Sequence, residues 1–563
     1  MAPNNPAQRR GGALSGVELA LWLAAGGGVL LFVLWPVAAV LRESLLVDGQ
    51  WSLSAWRGLL GKNWPLALNS FAVAAAVAAA TTALASLLAV KLLYGAPLGR
   101  KLLTAVLVLS TISPPFVGSM SYLMLFGRRG LITWRLLGLE WNPYGFHGVV
   151  MMEALSQLGV ATLLAAASFH QVDGALERAS LDLGAPPLRT LLNVSAPLAR
   201  PGLTAAALMV FVRSLSDFGT PLFVGGRFQV LASKAYNTLI GVGDFPLACA
   251  MNALLVLPSL LLLAARREAR GRSFSLRLAG ARSLQLRGPS GWLPEAAAWG
   301  FVAIELAVYG LILAGSVTKT WGADFTLTTA HLRSLWNFSG NGFARSLICS
   351  VAAGLGGAVL GAVLARLLER SPTALRRGAR MLIELPYLVP GTFFGVGYLL
   401  VSSSLPWEVP AGFLIAMNCL FRQLSPSTWS AQAGLAQINP ELELAVRDLG
   451  GGQGRVLRNM LLPLLRPFML VSFINAFSAA MTSTGPIIFL VSPYARVASV
   501  ELFESINSGK YGDASAMASL LIAAGEYPDL LTTSDASGDL KAAGAFVPLN
   551  DYIANSTNIK NCF

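Results

Sequence analysis

Two stretches of this chain carry the same order of side chains. Glu177-Arg-Ala-Ser-Leu-Asp-Leu-Gly184 and Glu443-Leu-Ala-Val-Arg-Asp-Leu-Gly450 lie 266 residues apart. The match runs on without a gap to Pro197-Leu-Ala-Arg-Pro201 and Pro463-Leu-Leu-Arg-Pro467, and Arg189 and Asn193 recur as Arg455 and Asn459. Each copy reads as a short helix with an acid, Glu177 or Glu443, near its positively polarised N-terminus. Ala179 or Ala445 keeps the next turn small, Asp182 or Asp448 follows, and Gly184 or Gly450 can close the helix. Pro201 and Pro467 mark where the chain enters the next long helix, because proline is tolerated in a first turn. The chemistry open to such a stretch is recognition: Glu177, Asp182, Glu443 and Asp448 offered to a partner on a helix-turn-helix.

The other reactive side chains do not gather. His147, His170 and His331 are scattered, and Cys249, Cys349, Cys419 and Cys562 have no ligand spacing, so no metal site is expected. No Gly-x-x-x-x-Gly-Lys-Ser/Thr loop is present to cradle phosphates, so the chain is not expected to hydrolyse ATP or to act as an enzyme. Arg213 and Asp217 stand four residues apart and can pair on one helix face. That pair either lines a translocation path beside the Gly219–Pro221 break or fixes one helix against its neighbour. Arg422, Glu153 and Glu305 are single charges in apolar surroundings.

The elements that position these residues are membrane helices. Of the 563 residues, 55% are hydrophobic and 12% charged, about half the charged share of a soluble domain. Uncharged runs at 19–41, 102–127, 245–265, 346–365 and 385–407 approach or exceed the roughly 20 residues a helix needs to cross the hydrocarbon. They lack the period-2 pattern of a barrel. Helices are predicted near 19–41, 71–93, 102–127, 148–169, 202–224 and 245–265. A second set falls near 298–318, 346–368, 381–403, 409–429, 468–491 and, incompletely, 512–525. Arg9 and Arg10 place the N-terminus inside, which puts both repeated loops on the inner side with most loop arginines; Arg128, Arg129 and Arg135 fall outside.

The expected organisation is an all-α polytopic protein: an N-terminus at 1–17, a first domain at 18–265, a linker at 266–297, a second domain at 298–524 and a tail at 525–563. Both halves start inside, so they are related by an axis along the membrane normal. Gly354, Gly356 and Gly357 suit close helix contacts. The net charge of +13 does not point to nucleic acid. Seven arginines lie between Arg266 and Arg287, and Arg376, Arg377 and Arg380 cluster in another loop, without interleaved aromatics. Such placement sets topology.

The repeated loops at 171–201 and 436–467 resemble the coupling loop of binding-protein-dependent ATP-binding-cassette importer permeases, whose motif runs Glu-Ala-Ala, three residues, Gly, then on to a proline. Two copies in one chain resemble the fused twelve-helix members of the iron(III), 2-aminoethylphosphonate, thiamine and polyamine group, built from two tandem six-helix type I domains. Ile112-Ser-Pro-Pro-Phe116, Phe126-Gly-Arg-Arg-Gly-Leu-Ile132, Ser216-Asp-Phe-Gly-Thr-Pro221 and Tyr236-Asn237 with Gly243-Asp244 are most similar to the iron(III) or aminoethylphosphonate branch. The resemblance implies a bacterial inner-membrane permease gripped by two separate ATPase subunits. These carry ATP and Mg, while a periplasmic or surface-tethered binding protein delivers the solute. It implies docking roles for Glu177, Ala179, Asp182, Gly184, Pro197, Pro201, Glu443, Ala445, Asp448, Gly450, Pro463 and Pro467. One departure is that Arg178 and Leu444 stand six before the glycine, where the family's acid maps. A thiamine or polyamine permease, a secondary transporter and a polytopic membrane enzyme are the alternatives.

Only 12 uncharged residues separate Asp513 from Glu526, so the final crossing is expected to be truncated. Beyond it, Gly525-Glu-Tyr-Pro-Asp529, Gly538-Asp-Leu-Lys541 and Phe546-Val-Pro-Leu-Asn-Asp-Tyr552 resemble the early part of an extracellular solute-binding protein. A chimeric join near 522–525 is the expectation.

Overall fold

A computed structural model describes residues 16–535 except 270–283 and positions 48, 115, 129, 140–141, 287, 336–339, 372 and 493–494. Long apolar segments must satisfy every backbone N–H and C=O internally, and this chain does so with helices. Among the described residues, seven are long and apolar enough to cross a membrane. They are Ala20–Glu43, Trp64–Tyr94, Phe146–His170, Pro187–Leu215, Pro289–Val317, Asn341–Arg370 and Val456–Thr482. Two further pairs are bent at a short break and raise the count to nine if each is one span: Arg100–Thr111 with Phe116–Leu136, by 103°, and Leu375–Leu388 with Gly391–Ser404, by 104°. Apart from the hairpins Leu46–Val47/Gln50–Trp51 and Thr318–Thr320/Asp324–Leu327, the described fold is all α.

The departures from twelve straight crossings have local causes. The expected helices 102–127 and 381–403 are long enough, but Ser113 precedes Pro114 and Val389 precedes Pro390, and a residue before proline is pushed out of the helical region. Ser113 accordingly takes φ −59°, ψ 137°. The expected helix 409–429 is divided at Gln423 into Ala411–Arg422 and Leu424–Leu435. The last expected helix is longer than its apolar run: Tyr511–Asp535 continues past residue 525, so the backbone does not break where the composition does. Of the tail, residues 536–563 lie outside the described residues.

Compactness does not follow the sequence halves. One unit joins the described residues up to Glu43 to Phe343–Val497, and the other joins Ser44–Gly342 to the described residues from Ala498 on. Each sequence half therefore lends its leading helix to the unit that holds most of the other half.

In the unit that includes Glu443, the Tyr398 hydroxyl donates to the Phe32 carbonyl at 2.9 Å, and Phe32 stacks on Phe421 with ring centroids 5.0 Å apart. A Cβ at Gly397 would fall 2.7 Å from the Pro36 carbonyl, so only glycine admits the leading helix so closely. Gly354 and Gly356 pack the same way within this unit, against Phe473 and Leu420.

In the unit that includes Glu177, Trp64–Tyr94, Phe146–His170 and Pro187–Leu215 form the centre, with Val77, Leu107, Val149 and Ala161 fully buried. Here the leading helix of the second half, Pro289–Val317, is tied in by a Glu295 carboxylate that pairs with the buried Lys91 ammonium. Trp299 Nε1 donates to the same carboxylate at 3.0 Å.

Candidate functional site

The repeated loops fold alike. In the first copy Asp173 caps the helix Gly174–Asp182, its Oδ1 accepting from the Ala175 N–H at 2.9 Å. In the second, Asn439 caps Pro440–Asp448, its Oδ1 accepting from the Glu441 N–H at 3.0 Å. Both helices stop on a left-handed glycine, Gly184 at φ +83° and Gly450 at φ +77°. The Gly184 N–H then bonds the Leu181 carbonyl and the Ala185 N–H the Ser180 carbonyl, at 2.9 and 3.1 Å. Gly450 and Gly451 bond Arg447 and Val446 in the same way, both at 2.9 Å. This is the Schellman closure, which satisfies carbonyls the helix end would otherwise orphan.

We call each unit an elbow. Its tip exposes apolar side chains at matched positions: Leu176 and Leu183 are 49% and 89% exposed, Leu442 and Leu449 41% and 87%. Ala179, Asp182, Ala445 and Asp448 share this exposure. One exposed leucine would mean little, but two exposed leucines on each tip, recurring at the same positions in both copies, make the apolar tip a repeated feature.

The glutamates do not belong to that surface. The expectation that Glu177 is offered to a partner does not hold: it is 1% exposed, and its Oε1 accepts from the Tyr94 hydroxyl at 2.6 Å and the Ser195 hydroxyl at 2.8 Å. Glu443 is turned inward as well. Its carboxylate receives the guanidiniums of Arg366 and Arg370 from the helix Gly340–Arg370, and that of Arg447 at 2.6 Å. Burial pushes the Glu443 carboxyl up, but hydrogen bonding to Arg366 and the charges of Arg366, Arg370 and Arg447 outweigh it and hold the group below the usual carboxylate range. Both glutamates therefore fasten the elbow to the long helix behind it.

Pro201 and Pro467 do not open the following helix. The chain turns helical at Pro187 and at Gln453, widens to π turns at Leu191–Ser195 and Val456–Leu461, and places both prolines inside Ala196–Leu215 and Leu462–Thr482. Pro197 and Pro463 occupy the first α turns after the wide segments, where a missing N–H costs least. The first elbow carries one more clasp, Ser180 Oγ to Thr190 Oγ1 at 2.9 Å. Its counterparts 266 residues on are Val446 and Val456.

The remaining charged candidates separate. Arg213 and Asp217 make no ion pair among the described residues. Asp217 instead caps the short helix Gly219–Val224, its Oδ1 accepting from the Gly219 and Thr220 N–H groups at 2.9 and 3.2 Å, while Arg213 is exposed. The neighbouring Ser214 bonds the fully buried Glu153. Arg422 donates to the Val389 carbonyl at 3.2 Å, satisfying a backbone group at one of the two helix breaks. No group of three metal-ligating side chains occurs among the described residues.

Sequence reasoning missed the caps Asp173 and Asn439 and the partners Tyr94, Ser195, Arg366 and Arg370. The caps carried a signal, since Asx residues at the same 266-residue spacing precede each acid by four positions.

A multi-pass helical membrane protein with a duplicated loop on its membrane helices is the class this geometry defines. The model of the binding-protein-dependent transport system inner membrane component family matches residues 81–268 and 357–525, a span that includes both elbows. The chain belongs to that family. It is 30% identical over 434 residues to a ferric transport system permease of Actinobacillus pleuropneumoniae, covering 74% of this chain and 63% of the relative. A Haemophilus influenzae protein named for ferric transport is 30% identical over 409 residues, covering 69% and 64%. A Salmonella typhi protein named for 2-aminoethylphosphonate transport is 26% identical over 244 residues, 41% of this chain and 92% of the relative. The chain thus spans less than two thirds of the length of the two ferric relatives. The family match ends at residue 525 and gives no support to a solute-binding fragment beyond it.

Proposed function

We propose that this chain is the membrane pathway of an ATP-driven importer, two tandem six-helix domains whose elbows dock on two separate ATPase subunits. The observation that carries this reading is the pair of matched tips, in which Leu183 and Leu449 stand almost wholly in solvent on backbones of the same closure. A mobile or merely interfacial loop has no need of a capped, glycine-stopped helix bolted to a long helix by an inward-turned carboxylate. Rigid fastening behind and apolar exposure in front are what a force-transmitting contact requires. Closure of the ATPases would move the elbows, and the elbows would carry the helices Pro187–Leu215 and Val456–Thr482 that follow them.

A binding protein on the outer face supplies the solute in this reading. The relatives named for ferric and 2-aminoethylphosphonate transport support iron(III), or a small anion or phosphonate, as the cargo. The test replaces Leu183 and Leu449 together by Asp and asks whether the chain still co-purifies with its ATPase. Loss of co-purification with an unchanged melting temperature is expected, since neither side chain is packed. Intact assembly with intact ATP-driven uptake would overturn the reading.

A further inference from the structure

The helix Phe146–His170 has 25 residues and so runs roughly 37 Å, at about 1.5 Å per residue. Its C-terminal end leads into the first elbow, so its N-terminal end lies on the opposite face of the same unit. There a cleft of about 860 Å3 opens, lined among others by Arg128, Arg227, Asn142, Tyr144, Trp134 and Phe228. That volume falls within the range of small-molecule sites.

Arg128 and Arg227 are exposed and have no acidic partner among the described residues. In the topology expected from the sequence these arginines lie on the outer side, against the charge asymmetry that orients membrane helices, so topology does not account for them. The frame that presents them is fixed. The Gly145 N–H donates to the Val224 carbonyl at 3.0 Å, and the Tyr122 hydroxyl to the Pro143 carbonyl at 2.8 Å, tying the two walls together. Gly226 adopts φ +59°, and a Cβ there would come within 3.0 Å of Tyr144. Gly145 also sets the N-terminus of the long helix at the cleft edge, adding its positive dipole end to the two guanidiniums. Asn142 Oδ1 accepts from the Tyr144 N–H at 3.2 Å, which leaves the Asn142 amide N–H groups for a ligand.

We propose that this cleft binds the oxyanion group, phosphate, phosphonate or carboxylate, of a small solute or of an anionic lipid headgroup. Two guanidiniums and an amide offer forked donors to such a group, and Trp134 and Phe228 give an apolar wall to what it is attached to. The site goes beyond the transport reading, and its assay needs neither nucleotide nor a delivery protein, so the two succeed or fail separately.

The test uses the full chain in nanodiscs, by equilibrium dialysis with inorganic phosphate, methylphosphonate and citrate, and by native mass spectrometry for retained phosphatidylglycerol. Arg128→Gln with Arg227→Gln is expected to weaken binding by about tenfold per guanidinium removed, with melting unchanged because both side chains are exposed. Binding should also weaken as salt screens the charges. Saturable solute binding lost in the double variant assigns a soluble ligand; phosphatidylglycerol retention lost in it, without solute binding, assigns a headgroup. No saturable binding below about 10 mM and no retained lipid, or binding that the double variant leaves intact, overturns the proposal.

Discussion

The first elbow is fastened by neutral hydroxyls and the second by arginines, although their backbones close through the same hydrogen bonds. Tyr94 and Ser195 hold Glu177 out of solvent, whereas Arg366, Arg370 and Arg447 surround Glu443, whose side chain stays 17% exposed. Tyr94 and Arg370 are the last residues of helices that are each 31 residues long, so the same structural position supplies the anchor in both copies. What duplication kept is the local code of cap, acid and glycine. What diverged is the electrostatics behind it, because a carboxylate can be satisfied by hydroxyl donors or by opposite charge.

The sharpest test of this contrast replaces each glutamate by glutamine. Glu443→Gln removes the carboxylate that three guanidiniums share, although Arg366 keeps its pairing with Glu369, and should cost about 2–4 kcal/mol, somewhat below the figure for a fully buried pair. Glu177→Gln keeps an oxygen for Tyr94 and Ser195 and puts an amide where Oε2 has no partner, so it should cost less than about 1 kcal/mol. Thermal unfolding in detergent compares them, and equal losses would break the contrast.

A smaller effect is expected from acid. The Glu443 carboxyl is depressed in the folded chain, so its contribution is complete above its unfolded value of about 4.3 and is lost as pH falls through the lower folded value. The melting temperature of the parent chain should therefore drop more than that of Glu443→Gln as pH is lowered through this window. Parallel curves would show that the arginine cluster does not act through Glu443 ionisation.

The smallest difference should come from the shared part. Gly184→Ala and Gly450→Ala meet no neighbour within 4 Å but force an L residue into left-handed backbone, a cost of about 1–2 kcal/mol. Equal values at the two elbows are expected by the same melts. A large inequality would mean that the two closures are not energetically alike.

Much of this was written locally and some was not. The paired loops, their acids and their glycine stops were legible because both copies repeat in register. The anchors were not. Tyr94 and Arg370 are 276 residues apart, ten more than the loop spacing, so an in-register comparison never aligns them, and only folding brings them to the acids. Exposure of Glu177 was misjudged for that reason. The bent pairs failed for another. An uncharged run such as 102–127 passes a length criterion even though Pro114 removes helical backbone from its middle. At the far end the error was reversed: Asp513 and Glu526 limit what can enter hydrocarbon, but charges do not end a helix, and Tyr511–Asp535 continues through the second of them.

The proposed docking role requires both elbows to face the inner side of the membrane, where the ATPase subunits would sit. Cys249, Cys349 and Cys419 are buried, and with Cys562, outside the described residues, replaced by Ser, Leu183→Cys and Leu449→Cys each add an accessible thiol that a membrane-impermeant maleimide can report. Both should be modified in inside-out vesicles and spared in right-side-out vesicles. Modification of either one from the outer face would contradict the account.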